Sequence, residues 1–210
     1  MIIQVIVMSE FRTRDKSKKR AVILEGAIDV FIDMGYELTS MDKIAETAGV
    51  SKKTIYNHFG SKENLFQAIV YDFLDQRRRL KTITYDSNKT LEEQLLGFAN
   101  AEIYLSDTPR RLGLARFLTK FFLQDIRYAA ITVAKFPPQH DMLLNWLIEA
   151  EKDGKIRTNN LVLSARMFYA LLTGALTFPV LFTDGIDKSV RKPLLDEIVA
   201  IFLARYGNNR

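Results

Sequence analysis

The sequence predicts an all-α protein in two parts. Apolar residues recur at helical spacing along almost the whole chain, and strand-like alternation is rare. A polar, loop-like stretch, TITYDSNKT at 82–90, divides a basic N-terminal part from a longer helical C-terminal part. No internal repeat or low-complexity tract interrupts this plan.

The elements follow in order. Residues 1–15 read as a flexible arm. The apolar run at 2–7 is far shorter than the roughly 20 residues that span a bilayer. Its basic residues come after it, which is the wrong order for a secretory signal. It reads as a frayed terminus, or as sequence ahead of a start at Met8. Arg12, Arg14, Lys16, Lys18, Lys19 and Arg20 then crowd the approach to the first helix. There Ile23, Ala27 and Phe31 repeat at four-residue spacing and form a buried stripe. Gly35 ends it, since glycine accepts the left-handed cap conformation. Thr39 is the expected N-cap of a short second helix, with Asp42 three residues on as a loose capping box. Ile44 and Ala45 face inward there, and Gly49 closes it. Ser51 caps a third helix carrying Ile55 and Phe59, which Gly60 breaks. Ser61 starts a longer one with Leu65, Ile69 and Phe73 inside.

Beyond the divide, Leu91, Leu95, Phe98 and Glu102 trace one helical face. Thr108-Pro109 is an N-cap followed by a first-turn proline. Leu114, Phe117, Leu118, Phe121 and Phe122 follow on one face. Pro137-Pro138 separates two helices, the second carrying Met142, Trp146 and Ile148. A long apolar helix covers about 161–182, and a last one about 193–206. Neither the start nor any later run is read as crossing a membrane.

Composition narrows the function. The 210 residues are 48% hydrophobic and 26% charged, an ordinary globular mixture with a net charge of +5. The absence of cysteine excludes disulfides, thiolate metal sites and cysteine nucleophiles. His58 and His140 are the chain's two histidines, and no zinc-binding pair, Gly-rich phosphate loop or nucleophile elbow is present. We therefore expect no cofactor, no metal and no catalytic residue.

The informative segment is TSMDKIAETAGVSKKTIYNHF at 39–59. Two short helices joined through a glycine turn are the sequence form of a helix-turn-helix. Ala45 is small enough for the crossing, Gly49 allows the reversal, and Val50 and Ile55 plug it. The outward side of the second helix holds Lys52, Lys53, Thr54, Tyr56, Asn57 and His58, with no acid. Lysines and hydroxyls suit phosphate oxygens. Thr54 and Asn57 suit base edges in a major groove. Lys62 opens the next helix, where backbone N–H groups also favour an anion. Thr39, Ser40 and Ser51, at the two helix starts, complete the expected DNA-contacting set.

These residues resemble the TetR/AcrR family of bacterial transcriptional regulators. The likeness is carried by ILEGAIDVFIDMGY at 23–36, by the 39–59 segment, and by SKENLF at 61–66. It is close over about 16–70. Further on it rests on layout and on GALTFPVLF at 174–182 and IFLARYG at 201–207. The resemblance implies an N-terminal three-helix DNA-binding domain at 16–80, connecting helix included. It implies a helical ligand-binding and dimerisation domain at 85–210. Residues 51–58 would be the recognition helix, with Tyr56, His58 and Lys62 approaching phosphates. Position 53, commonly glycine in that family, is Lys53 here.

A ligand-responsive repressor binding a palindromic operator as a homodimer is the function that this implies, in the cytoplasm and away from membranes. Ala170 and Gly174 permit close approach of two copies, and Leu195, Ile198, Phe202 and Tyr206 offer an apolar strip. Phe98, Phe117, Phe121, Trp146, Met167 and Phe168 are the expected walls for an apolar or amphipathic effector. Three other classes compete with this reading. They are an enzyme, a helical adaptor binding protein through its basic face, and a membrane-surface protein using its basic arm.

Overall fold

The computed structural model describes residues 2–79, 83–103, 108–134, 140–183 and 185–208. Side chains are described throughout these except at 2–15, 76–79, 133, 140, 141 and 188. Among the described residues there is no strand, only an isolated antiparallel bridge between Ile156 and Gly207. The helices are α1 (Ile2–Leu38), α2 (Met41–Ala48), α3 (Lys52–Phe59), α4 (Lys62–Arg79), α5 (Leu91–Ile103), α6 (Pro109–Gln124), α7 (Ile126–Ala134), α8 (His140–Lys152), α9 (Leu161–Leu172), α10 (Phe178–Val180) and α11 (Lys188–Tyr206). Helical backbone thus extends back through the stretch expected as an arm. Expectations on 135–139, which include Pro137-Pro138, lie outside the described residues.

The chain divides into two compact units, 1–73 with 117–121 and 74–116 with 122–210. The limits of these units fall within α4 and α6.

In the first unit, Ile23, Ala27, Val30 and Phe31 of α1, Ile44 of α2, Ile55 and Phe59 of α3, and Leu65, Phe66, Ile69 and Val70 of α4 are all buried. Each of the larger side chains contributes about 1.5–3 kcal/mol of burial free energy. The tightest approach is between α1 and α2. A Cβ on Gly26 would stand 2.8 Å from the Ala48 Cβ and 3.0 Å from its backbone. The crossing therefore depends on Gly26 and Ala48, beside the expected Ala45. Gly35 (φ 78, ψ 170) breaks α1 as expected, and a further turn follows before α2. Phe117 and Phe121 of α6 belong to this unit. Phe117 stacks on Phe31 at 5.8 Å, and Phe121 meets Phe66 at 4.6 Å and Tyr36 at 5.3 Å.

In the second unit, α5, α8, α9 and α11 enclose one apolar cluster that includes Phe98, Leu143, Trp146, Phe168, Leu195, Ile198 and Phe202. Gln94 is the polar centre of this unit. Its Oε1 accepts from Trp146 Nε1 at 2.9 Å and Asp86 N at 2.8 Å, and its Nε2 donates to the carbonyls of Asp86, Lys89 and Thr90. Four backbone groups of the loop before α5 and the indole N–H thereby share one buried amide. Tyr85 donates to Asp153 at 2.5 Å, and Lys155 lies 3.3 Å from the same carboxylate. Arg157 N donates to Tyr206 O at 2.8 Å and Asn208 N to Lys155 O at 2.9 Å, which ties the C-terminal segment to the turn before α9.

Three expectations need correction here. The helical run that starts at Pro109 does not continue unbroken past 124. Asp125 accepts from Tyr128 N at 2.9 Å and so starts α7, the Asx cap ending one helix and opening the next. The strip Leu195, Ile198 and Phe202 faces the interior of its own chain, each 3% exposed or less. It forms core, not an outward seam. The run Leu161–Val180 is, by length and composition, long and apolar enough to cross a membrane, and 28% of it is buried. It is also not one regular helix. Thr173–Thr177 forms a π-helical turn, with Phe178 N bonded to Thr173 O five residues back. Pro179 follows, and its ring would crowd the carbonyl four residues earlier in a regular helix, so the wider turn relieves that clash. Arg116 closes the far end. Its Nε donates to Leu181 O and its Nη2 to Val180 O, both at 3.1 Å, and Nη2 also donates to Thr183 O. A cation there suits the negative helix pole.

Candidate nucleic-acid interface

Each helix of the 41–59 segment is started and stopped by its own residues. Ser40 caps α2, its Oγ accepting from Lys43 N at 3.2 Å. Thr39, the expected cap, is 3% exposed, and its hydroxyl donates to Gly35 O at 2.6 Å. Both residues carry a capping oxygen one position apart. Thr39 turns inward to serve the frayed end of α1, which leaves Ser40 for α2. Gly49 (φ 64, ψ 33) ends α2 in the left-handed conformation. Val50 N then donates to Ala45 O at 3.0 Å, closing the turn. Ser51 caps α3, accepting from Thr54 N at 3.1 Å.

The turn delivers α3 with Ile55 and Phe59 buried. Ser51, Lys52, Lys53, Tyr56 and Asn57 are exposed, and Thr54 and His58 are half-buried. None of these seven expected contact residues is buried. Ser40 is exposed at the start of α2, while Thr39 is not. The Thr54 hydroxyl lies 2.8 Å from that of Ser51. Arg20, from the basic approach to α1, places its guanidinium 5.3 Å from the Phe59 ring centroid.

Two of the expected cations are engaged within the protein. Lys52 Nζ donates to Asp42 Oδ2 at 2.8 Å. That hydrogen bond, above the other influences, raises the lysine from its ordinary value. Asp42 is a neighbour that sequence reasoning treated as a cap. Lys62 Nζ donates to Tyr36 O at 2.9 Å and Thr39 O at 3.0 Å.

The six expected effector walls are divided between the two units. Phe98, Trp146 and Phe168 lie in the second unit's cluster, with Phe98 and Trp146 edge to face at 6.1 Å. Phe117 and Phe121 belong to the first unit's aromatic cluster. Met167, next to buried Phe168, faces outward and is 43% exposed.

The segment that carries this geometry matches the bacterial regulatory proteins of the tetR family over residues 23–69. Residues 93–208 match the AefR-like transcriptional repressor C-terminal domain. The chain belongs to the TetR family of DNA-binding transcriptional regulators. It is similar to the HTH-type transcriptional activator FasR of Mycolicibacterium smegmatis, 36% identical over 88 residues, which is 40% of each chain. It is also similar to the HTH-type transcriptional regulator RutR of Escherichia coli K12, 42% identical over 64 residues, or 30% of each. These matches span less than half the length of those relatives. A solved TetR-family regulator from Pseudomonas syringae aligns over 90% of this chain and 97% of its own, at 29% identity and a TM-score of 0.73.

Proposed function

We propose that two copies of the chain bind a twofold-symmetric operator, each placing α3 in the major groove, and that occupancy represses transcription until a small apolar or amphipathic effector binds. The observation that carries this reading is the acid-free outward side of α3, held rigidly between two capped turns. Lys53, Tyr56 and Asn57 are presented there for phosphate and base contact. The positive charge serves phosphates without regard to sequence, while Asn57 and Thr54 supply donors and acceptors suited to base edges.

One short helix reads few base pairs. Twofold pairing places two such helices about 34–36 Å apart, one helical turn of DNA. A surface for that pairing is available on the C-terminal helices. Leu163, Met167, Phe178 and Phe182 on the 161–183 run, with Ile201 on α11, are large apolar side chains exposed to solvent. Ala170 is exposed near them, and a Cβ on Gly174 would meet nothing within 4 Å. An apolar face of this size along two helices of a water-soluble regulator favours burial against a second copy. It also accounts for the apolar character of 161–180 without a membrane.

We place effector binding in the second unit, whose apolar core includes Phe98, Trp146 and Phe168. A coupling of about 1–3 kcal/mol between the sites suffices for switching. Repression agrees with the repressor domain matched at 93–208. The test is selection of bound duplexes from a random pool at low salt, followed by a salt titration. Recovered sites with twofold symmetry and a steep salt dependence support the reading. Indifference to every duplex, or a flat salt response, rejects it.

A further inference from the structure

Lys62 stands in the first turn of α4, where the positive pole of its own helix opposes a cation. Its charge is used by a different helix. Besides donating to the Tyr36 and Thr39 carbonyls, Nζ lies 4.4 Å from the centroid of the Tyr36 ring. These groups form the elbow between α1 and α2. Gly35 has interrupted the helical ladder there, and terminal carbonyls need partners from outside the helix. The negative helix end and the ring face both attract an ammonium. Glu63 follows and accepts from the Tyr36 hydroxyl at 3.4 Å. The first turn of α4 thus holds Tyr36 by its carbonyl, its ring face and its hydroxyl. Phe31, Phe66 and Phe121 pack on the rest of that ring, at 5.7, 5.0 and 5.3 Å between centroids.

The Thr39 carbonyl lies one residue before the α2 cap. Whatever fixes residues 36–39 fixes the direction in which α2 departs, and α2 carries α3 through the turn at 49–51. The ammonium is therefore engaged by two carbonyls and a ring face of its own chain.

We propose that Lys62 is a positioning residue for operator recognition, aiming the helix-turn-helix through Tyr36 and Thr39 without contacting DNA. This rests on the DNA-binding reading above. The two possible roles of this lysine differ in what they change. A lysine on a phosphate strengthens binding to every sequence and adds about one to the salt slope. A positioning lysine matters to the sequence-specific complex, in which α3 must meet base edges in register, and leaves the slope alone.

The experiment compares Lys62→Met and Lys62→Arg with the wild type. Binding is measured across a salt titration on duplexes that the wild type selects from a random pool, and on a random-sequence duplex of equal length. Amide hydrogen exchange is followed in the DNA-free protein. We expect Lys62→Met to lose about tenfold on the selected duplex, the equivalent of one charged hydrogen bond. The random duplex should be nearly unaffected and the salt slope unchanged. Exchange should quicken at 36–43, while amides near Ile23 and Phe31 keep their protection. Lys62→Arg, with donors for both carbonyls, should recover most of the loss. Equal losses on both duplexes with a slope reduced by about one would overturn the proposal in favour of a phosphate contact. Unchanged exchange at 36–43 would also overturn it. Should the wild type bind no duplex, the DNA reading fails separately, and the exchange measurement still decides whether Lys62 holds the elbow.

Discussion

Gly26 and Ala48 meet so closely that α1 and α2 cross with backbone nearly touching backbone: a Cβ on Gly26 would lie 2.8 Å from the Ala48 Cβ. Gly26→Ala gains about 1 kcal/mol of helix propensity. It must also force apart two helices, since the Ala48 Cβ and main chain lie within 3.0 Å and cannot swing aside, at a cost of about 1–3 kcal/mol. We expect net destabilisation of about 1 kcal/mol in urea melts, and more for Gly26→Val. A midpoint at or above that of the wild type would show that the crossing has slack.

Asp42 holds the Lys52 ammonium at 2.8 Å on the face assigned to DNA. Asp42→Asn removes a negative charge from that face and releases the lysine. Duplex affinity at low salt should rise about threefold to tenfold, and the salt slope should steepen by about one. The pair is exposed, so stability should change little. Unaltered affinity and slope would place Lys52 away from the phosphates.

Lys53 and Tyr56 are exposed on α3. Lys53→Ala should weaken duplex binding and lower the salt slope by about one, while Tyr56→Ala should weaken it with the slope intact. Both variants should melt within about 0.5 kcal/mol of the wild type. Full affinity in both would remove this surface from the interface.

The apolar outer face separates pairing from folding. Met167→Arg and Ile201→Glu place charge on exposed positions and should yield folded monomers by light scattering and circular dichroism. Phe202→Glu places charge at a position 1% exposed and should unfold the second unit, costing at least about 3–5 kcal/mol. Dimers persisting in both outer variants would move the subunit contact elsewhere.

Asp153 is held below its ordinary value of 3.8, first by the Tyr85 hydroxyl and then by Lys155. A depressed carboxylate stabilises the fold above its unfolded value. That contribution is lost as pH falls from about 3.8 through the lower folded value. In acid titrations Asp153→Asn should be less stable than the wild type near neutrality, and the gap should close below about pH 4. A constant gap down to the lowest pH would mean that the Tyr85 contact does not depend on the charge.

Much of the helix-turn-helix was legible because its chemistry is local. Gly49 and Ser51 act on atoms within five residues of themselves, so their roles follow from spacing. Thr39 and Ser40 were exchanged because sequence offers two capping hydroxyls side by side, and only the fold decides which one turns inward. The inward-facing Leu195, Ile198 and Phe202 were assigned to a partner for a related reason. The last helices carry apolar residues on more than one side, and helical periodicity does not say which side meets the chain's own core. Lys62 was placed toward DNA on the strength of its charge. A side chain with four methylenes reaches in several directions, and its engagement with residues 26 and 23 positions earlier is a tertiary fact.

The widened turn at 173–177 sets the phase of everything after it. One extra residue in a helix of 3.6 residues per turn rotates the following segment by about 100°. Leu163, Met167, Ala170 and Gly174 keep regular helical spacing. The same sequence of exposed positions resumes at Phe178 and Phe182, not at Thr177 and Leu181. Relaxing that turn to regular helix with all its residues kept would therefore carry Phe178 and Phe182 off the outer stripe, whereas removing one residue from it would return them to regular helical spacing.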